Sequence, residues 1–242
     1  MSEVTRRYKI FTDFDGTITT KDVGESIFLK FGEKEEVEKI VKRWIAGEIN
    51  SIEQWNLLFQ SLGNVNQIEF FKFPDSIEID KTFGNFVGFC KNNSIELKIL
   101  SDGFEFYIKN ILGRYGFSNL QFFSNKLILS DENRFKMEFP YTDEECTKCA
   151  NCKRNHIIDF SSDNDFTVYI GDGYSDTCPA QYCDFVFAKN SLLKYCEINR
   201  ITYFPFNNFN DVIQKMEMLI KKKRLKKRMQ ANLKRKEIYL AG

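Results

Sequence analysis

Apolar residues recur along the chain in two rhythms. Short apolar-rich runs at 8–14, 95–101, 166–171 and 184–188 stop at turns, which predicts brief buried strands. Segments 23–31, 35–46 and 52–62 instead carry apolar residues at helical spacing, and 80–92 predicts a helix leading into the second strand. A further helix is expected at 104–115, followed by a hairpin over 122–139 whose polar turn falls at 130–133. Strands alternating with helices imply an α/β fold: a three-layer, Rossmann-like parallel sheet with helices on both faces. The stretch 21–74 is longer than one crossover helix requires, so it is expected to form an inserted helical cap. The core is then 1–20 with 75–210, and 211–242 is a basic C-terminal helix or tail.

Composition narrows the class. With 242 residues, 43% hydrophobic and 29% charged, the chain can bury one α/β core plus an insertion, as a globular protein does. No run of 18 apolar residues is present to span a bilayer, so a soluble protein is expected. The polar start leads directly into a strand without the pattern of an export leader, and seven cysteines, an odd number, suit a reducing cytoplasm. The net charge of +1 conceals an asymmetry: 221–236 holds 10 of the 35 basic residues and no acid, which leaves 25 against 34 elsewhere, net −9.

The sharpest candidate chemistry is Asp13-Phe14-Asp15-Gly16-Thr17 at the end of the first strand. Residues two apart on an extended chain project to the same side, and ligands of open parallel sheets sit at the carboxyl ends of strands. Two carboxylates repel a phosphate dianion, so a cation has to bridge them, and hard oxygen donors select magnesium. A further acid arrives in Gly171-Asp172-Gly173-Tyr174-Ser175-Asp176, again at a strand end, with Asp172 the candidate metal ligand. Ser101, Asp102 and Gly103 close another strand and offer a hydroxyl and amides to phosphate, and Lys153 offers positive charge. One histidine is too few for histidine-rich binuclear phosphatases, and no cysteine has an arginine six positions later as cysteine phosphatases require.

In their order, these four elements resemble the haloacid dehalogenase superfamily over about residues 8–200. The resemblance implies a Mg2+-dependent phosphomonoester hydrolase acting on a small phosphorylated metabolite. Asp13 would be the nucleophile, and Asp15 the acid and then the base. Ser101 and Lys153 would orient phosphate, with Asp102, Gly103, Gly16 and Thr17 beside it. Asp13, the Asp15 carbonyl and Asp172 would bind the metal, supported by Asp176 and Ser175, where relatives often carry Asn instead of Ser. Because dehalogenating members lack the second acid, Asp15 favours phosphoryl transfer. The cap is similar to that of phosphoserine phosphatases. Cys146, Cys149, Cys152 and Lys153 are similar to the methionine-salvage phosphatase group, and Gly173 with Cys178-Pro179 to phosphocholine and phosphoethanolamine phosphatases.

Other readings stay open at this point. Asp22 is either a residue that reads substrate or a helix N-cap. Cys146, Cys149, Cys152 and His156 are either zinc ligands, small residues positioning the Lys153 loop, or a reversible thiol pair. The basic tail could bind a nucleic acid or an anionic membrane, with Met218, Leu225, Met229 and Leu233 as its apolar face, or fold back onto the acidic body of its own or a neighbouring chain. A nucleotide or nucleic-acid-end phosphatase and a non-enzymatic metal-holding protein are the rival functions. Sequence leaves oligomeric state and substrate undetermined.

Overall fold

A computed structural model of the protein describes residues 6–129 and 134–241. Strands β1 (Arg7–Thr12), β2 (Glu96–Phe104), β3 (Gln121–Leu129), β4 (Phe135–Glu138), β5 (Asp165–Gly171), β6 (Phe185–Ala188) and β7 (Phe204–Pro205) form one sheet in the order β4-β3-β2-β1-β5-β6-β7. β1 runs parallel to β2 and β5, β5 to β6 and β6 to β7, whereas β3 and β4 are antiparallel. With its flanking helices this is the expected α/β fold. The polar turn expected at 130–133 lies outside the described residues.

The helices are α1 (Val23–Phe31), α2 (Lys34–Ile45), α3 (Ser51–Gln60), α4 (Gln67–Lys72), α5 (Phe83–Asn92), α6 (Glu105–Arg114), α7 (Lys153–Asp159), α8 (Asn190–Ile198), α9 (Phe209–Lys221) and α10 (Met229–Ala241). Their starts follow local side-chain chemistry. Asp22, Asn50, Asn66 and Asn208 accept backbone N–H groups at the first turns of α1, α3, α4 and α9, and Glu53 and Asp211 complete capping boxes in α3 and α9.

The chain divides into two compact units. Unit 1 comprises Met1–Asp13, Asp80–Ile99 and Lys153–Gly242, and unit 2 comprises Phe14–Ile79 and Leu100–Cys152. In unit 1 the central strands are buried runs: Ile10, Val168, Tyr169, Ile170 and Val186 have no exposed surface. Phe209 of α9 packs at 5.0 Å from both Phe83 and Phe86 of α5. Unit 2 has an aromatic core, in which Phe104 meets Trp55 at 4.9 Å and Phe59 at 5.5 Å, and Phe70 meets Phe135 at 4.8 Å. Arg114 of α6 reaches the carbonyls of Pro74, Asp75 and Ile77, fixing the end of the segment that follows α4.

β2 continues past Ser101, where the sequence places its end, to Phe104, because β3 is its second hydrogen-bonded neighbour. The basic C-terminal residues pack into unit 1. Arg235 is 2% exposed, 3.2 Å from Asp184, and bonds Thr167 Oγ1 at 3.0 Å. Arg228 donates to the Ala180 and Gln181 carbonyls, and Lys227 to that of Asp163. The chain thus folds back on its own body, and Met218, Met229 and Leu233 remain exposed while Ala231 and Arg235 supply the buried side of α10. Among the described residues no helix is long and apolar enough to cross a membrane.

Candidate active site

Two clusters of side chains collect most of the residues singled out by sequence. In unit 1, the Asp13 amide extends the β1–β5 ladder by donating to the Ile170 carbonyl at 2.8 Å, which fixes Asp13 just past β1 with 4% of its surface exposed. Lys153, the first residue of α7, is 2% exposed; its Nζ lies 2.5 Å from Asp13 Oδ1, 2.8 Å from Asp176 Oδ1 and 3.1 Å from Ser175 Oγ. Burial alone would lower the lysine pKa, but the carboxylates of Asp13 and Asp176 outweigh it and hold the ammonium charged, above the usual lysine range.

Asp176 is a hub. Tyr169 donates to its Oδ1 at 2.6 Å, and the amides of Asp172 and Gly173 donate to its Oδ2, each at 2.9 Å. With Lys153, four donors therefore engage its two oxygens. Close packing makes this loop dependent on a glycine: a Cβ on Gly171 would come within 2.5 Å of Asp176 Oδ2. Asp172 is half-buried and accepts from Asn190 Nδ2 at 3.2 Å. Carboxylate oxygens of Asp13, Asp172 and Asp176 lie within 4.8 Å of one another, the one such set of acidic, Cys or His donors among the described residues.

That donor set fits a hard divalent cation. Asp13 and Asp176 share one lysine and Asp172 adds a third carboxylate close by, an excess of negative charge that a divalent ion would neutralise. Cys146, Cys149, Cys152 and His156 form no comparable set. His156 is buried against Phe160, and burial lowers its pKa to about 4. In the unfolded chain it would bind a proton near pH 6.5. Folding is therefore unpenalised above that pH and loses stability as pH falls through about 4. Urea unfolding between pH 7 and 4 should show this slope, and His156→Phe should flatten it.

The second cluster, in unit 2, centres on Asp15. Its Oδ2 accepts from Ser101 Oγ at 2.9 Å and Tyr107 OH at 3.0 Å, and its Oδ1 from the Val23 amide at 3.1 Å. Ser101 Oγ accepts in turn from the Gly103 amide at 2.9 Å. Burial, then the charges of Asp15 and Asp22, push Tyr107 well above the ordinary phenol range, so it is a neutral donor. Sequence reasoning missed Tyr107, and also Asn151, which bonds the Ser101 carbonyl at 2.8 Å and the Phe123 carbonyl at 3.0 Å. The Asp102 carboxylate faces that loop, accepting from the Asn151 amide at 2.7 Å, while its carbonyl takes Trp55 Nε1 and Asn125 Nδ2.

The other candidates shape the chain around these groups. The Gly16 amide donates to Thr19 Oγ1 at 3.0 Å within its own turn, and Thr17 is wholly buried. Asp22 caps α1 by accepting the Glu25 amide at 2.7 Å.

The Putative Phosphatase family matches residues 8–233 of this chain. A 2-hydroxy-3-keto-5-methylthiopentenyl-1-phosphate phosphatase of Bacillus cereus is 32% identical over 218 residues, covering 89% of this chain and 98% of that protein. Its Bacillus thuringiensis counterpart is 33% identical with the same coverage. A solved phosphoserine phosphatase carrying a phospho-aspartyl intermediate analogue aligns with a TM-score of 0.68 at 20% identity, covering 87% of this chain and 99% of that one. A match of this extent removes the non-enzymatic reading. The chain belongs to the Putative Phosphatase family and is a phosphatase.

Proposed function

We propose that the chain hydrolyses a small phosphorylated metabolite through an aspartyl-phosphate on Asp13, with Mg2+ as cofactor. The observation that carries this reading is the placement of Asp13: buried at a strand end, one oxygen on the Lys153 ammonium, and the carboxylates of Asp172 and Asp176 close by. Asp13 and Asp172 are the side-chain ligands proposed for the cation, with the Asp15 main chain as a further one. Asp176, already holding four donors, positions the loop. When bound, the ion supplies the charge that lets an anionic nucleophile approach an anionic ester.

In the first step an Asp13 oxygen forms a bond to phosphorus as the bond to the leaving oxygen breaks. Asp15 gives that oxygen a proton, and it departs as an alcohol. Asp15, now a carboxylate, takes a proton from water as the water oxygen bonds phosphorus and the Asp13–phosphorus bond breaks. Lys153 offsets the charge on the Asp13 carboxylate throughout, and Ser101 holds the Asp15 carboxyl in orientation. Gly103, Gly16 and Thr17 support the turns from which phosphate contacts would come, and Asp102 holds the Asn151 loop.

The sugar-derived methylthio phosphate named for the Bacillus relatives is the first substrate to test, followed by phosphoserine, phosphocholine and phosphoethanolamine. Steering of a nucleic-acid end by the tail has less support, because Lys227, Arg228 and Arg235 already serve unit 1. A phosphate-release assay over this panel should show Mg2+-dependent turnover of at least one ester, abolished by a chelator and restored by Mg2+. Undiminished turnover in the chelator would refute the metal assignment.

A further inference from the structure

The geometry points to Tyr107 as a positioning residue that aims the Asp15 carboxyl at the leaving oxygen, making the rate of protonated departure depend on its hydroxyl. This rests on the acid role of Asp15 proposed above.

Donor direction is fixed on the Ser101 side. Ser101 Oγ accepts the Gly103 amide at 2.9 Å, so its single proton points at Asp15 Oδ2, 2.9 Å away. Tyr107 brings a second hydroxyl to the same oxygen at 3.0 Å, and the Val23 amide takes the other oxygen at 3.1 Å. Three donors from separate parts of unit 2, β2, α6 and the start of α1, thus determine the carboxyl plane. A carboxyl so held has little rotation left to lose when it meets the leaving group.

Tyr107 is built for this contact. Its ring is 1% exposed and stacks on Phe14, the residue between Asp13 and Asp15, with centroids 6.2 Å apart. Its hydroxyl occupies the space that a side chain at position 103 would fill: a Cβ on Gly103 would lie 1.4 Å from the Tyr107 oxygen. Gly103, two residues after Ser101, therefore admits the phenol to Asp15. Ring packing alone would be served by phenylalanine, which lacks only the group that reaches the carboxylate.

The step that Tyr107 supports is the transfer of the Asp15 proton to the leaving oxygen, which keeps the electron pair of the broken phosphorus–oxygen bond and departs as a neutral alcohol. Poor leaving groups need that proton, and a nitrophenolate does not. Loss of aim should therefore act selectively on esters of ordinary alcohols.

The test compares Tyr107→Phe with wild type in the full-length chain with Mg2+, using rapid-mixing kinetics of the first turnover. One substrate is the best alkyl phosphate from the panel, the other nitrophenyl phosphate, whose burst reads formation of the phospho-enzyme directly. The alkyl-to-nitrophenyl rate ratio should fall on the order of 10- to 100-fold, part of the 10²–10⁴ that general acids contribute, with alkyl KM within about twofold. Gly103→Ala, which evicts the hydroxyl but keeps the tyrosine, should lower the same ratio. An unchanged ratio in both variants would overturn the assignment, whether or not overall activity drops. A wild-type enzyme that forms no phospho-enzyme would instead count against the nucleophile, a different result from an unchanged ratio.

Discussion

Asp13→Asn should lower turnover of every phosphate ester by roughly 10⁴-fold or more while melting within a few degrees of the wild type. The kinetic loss follows from removing the atom proposed to attack phosphorus, since a neutral amide oxygen neither competes as a nucleophile nor attracts the cation. Stability should survive because Lys153 bridges two acids. With residue 13 neutral, the ammonium still pairs with Asp176 Oδ1 at 2.8 Å, and one positive charge then faces one negative charge there. Steady-state rates and a thermal melt on the same preparation check both halves. Turnover at the wild-type rate would sink the nucleophile assignment.

Lys153→Met should be inactive for the opposite electrostatic reason, and should also be unstable. It leaves Asp13, 4% exposed, and Asp176, with no exposed surface, without the ammonium that lies between them. Removing one member of a buried ion pair costs about 3–5 kcal/mol, which for a chain of this size lowers Tm by roughly 6–20 °C. Mg2+ should raise the Tm of this variant by more than that of wild type, because the ion becomes the remaining counter-charge. The wild-type lysine keeps its proton more tightly folded than unfolded. Its contribution is thus complete below its ordinary pKa of 10.5 and is lost as pH climbs from there through the higher folded value. Differential scanning fluorimetry at pH 6, 7 and 8 should accordingly give the same gap between variant and wild type. Equal melting of the two proteins would mean that Lys153 is not the counter-ion of these acids.

Much of the sheet and the acids at its strand ends could be read from sequence, for one physical reason. Parallel strands buried on both faces are continuous apolar runs, so the place where Ile170-Gly171 gives way to Asp172 is visible in one dimension. Groups acting through side-chain reach were not legible in this way. Tyr107 meets Asp15 only because β2 runs on to Phe104 and α6 begins at Glu105, and a strand taken to end at Ser101 loses that register. Asn151 sits inside a cysteine-rich run that draws attention to its thiols, yet its amide joins the backbones of β2 and β3. Counting charges found the basic tail and offered its folding back on the acidic body, but not the groups it meets, since burying Arg235 depends on Asp184 and Thr167 converging from remote positions.

The interleaving of the two units bears on the order in which the molecule can assemble at the ribosome. Unit 2 has all of its residues once Cys152 has been synthesised. Unit 1 gathers segments from both sides of it and leaves the Asp184 carboxylate without its guanidinium until Arg235 has been added. Nascent chains would therefore complete the aromatic module of unit 2 before the strands of unit 1 are all present, and the charge of Asp184 would be balanced only once Arg235 has emerged.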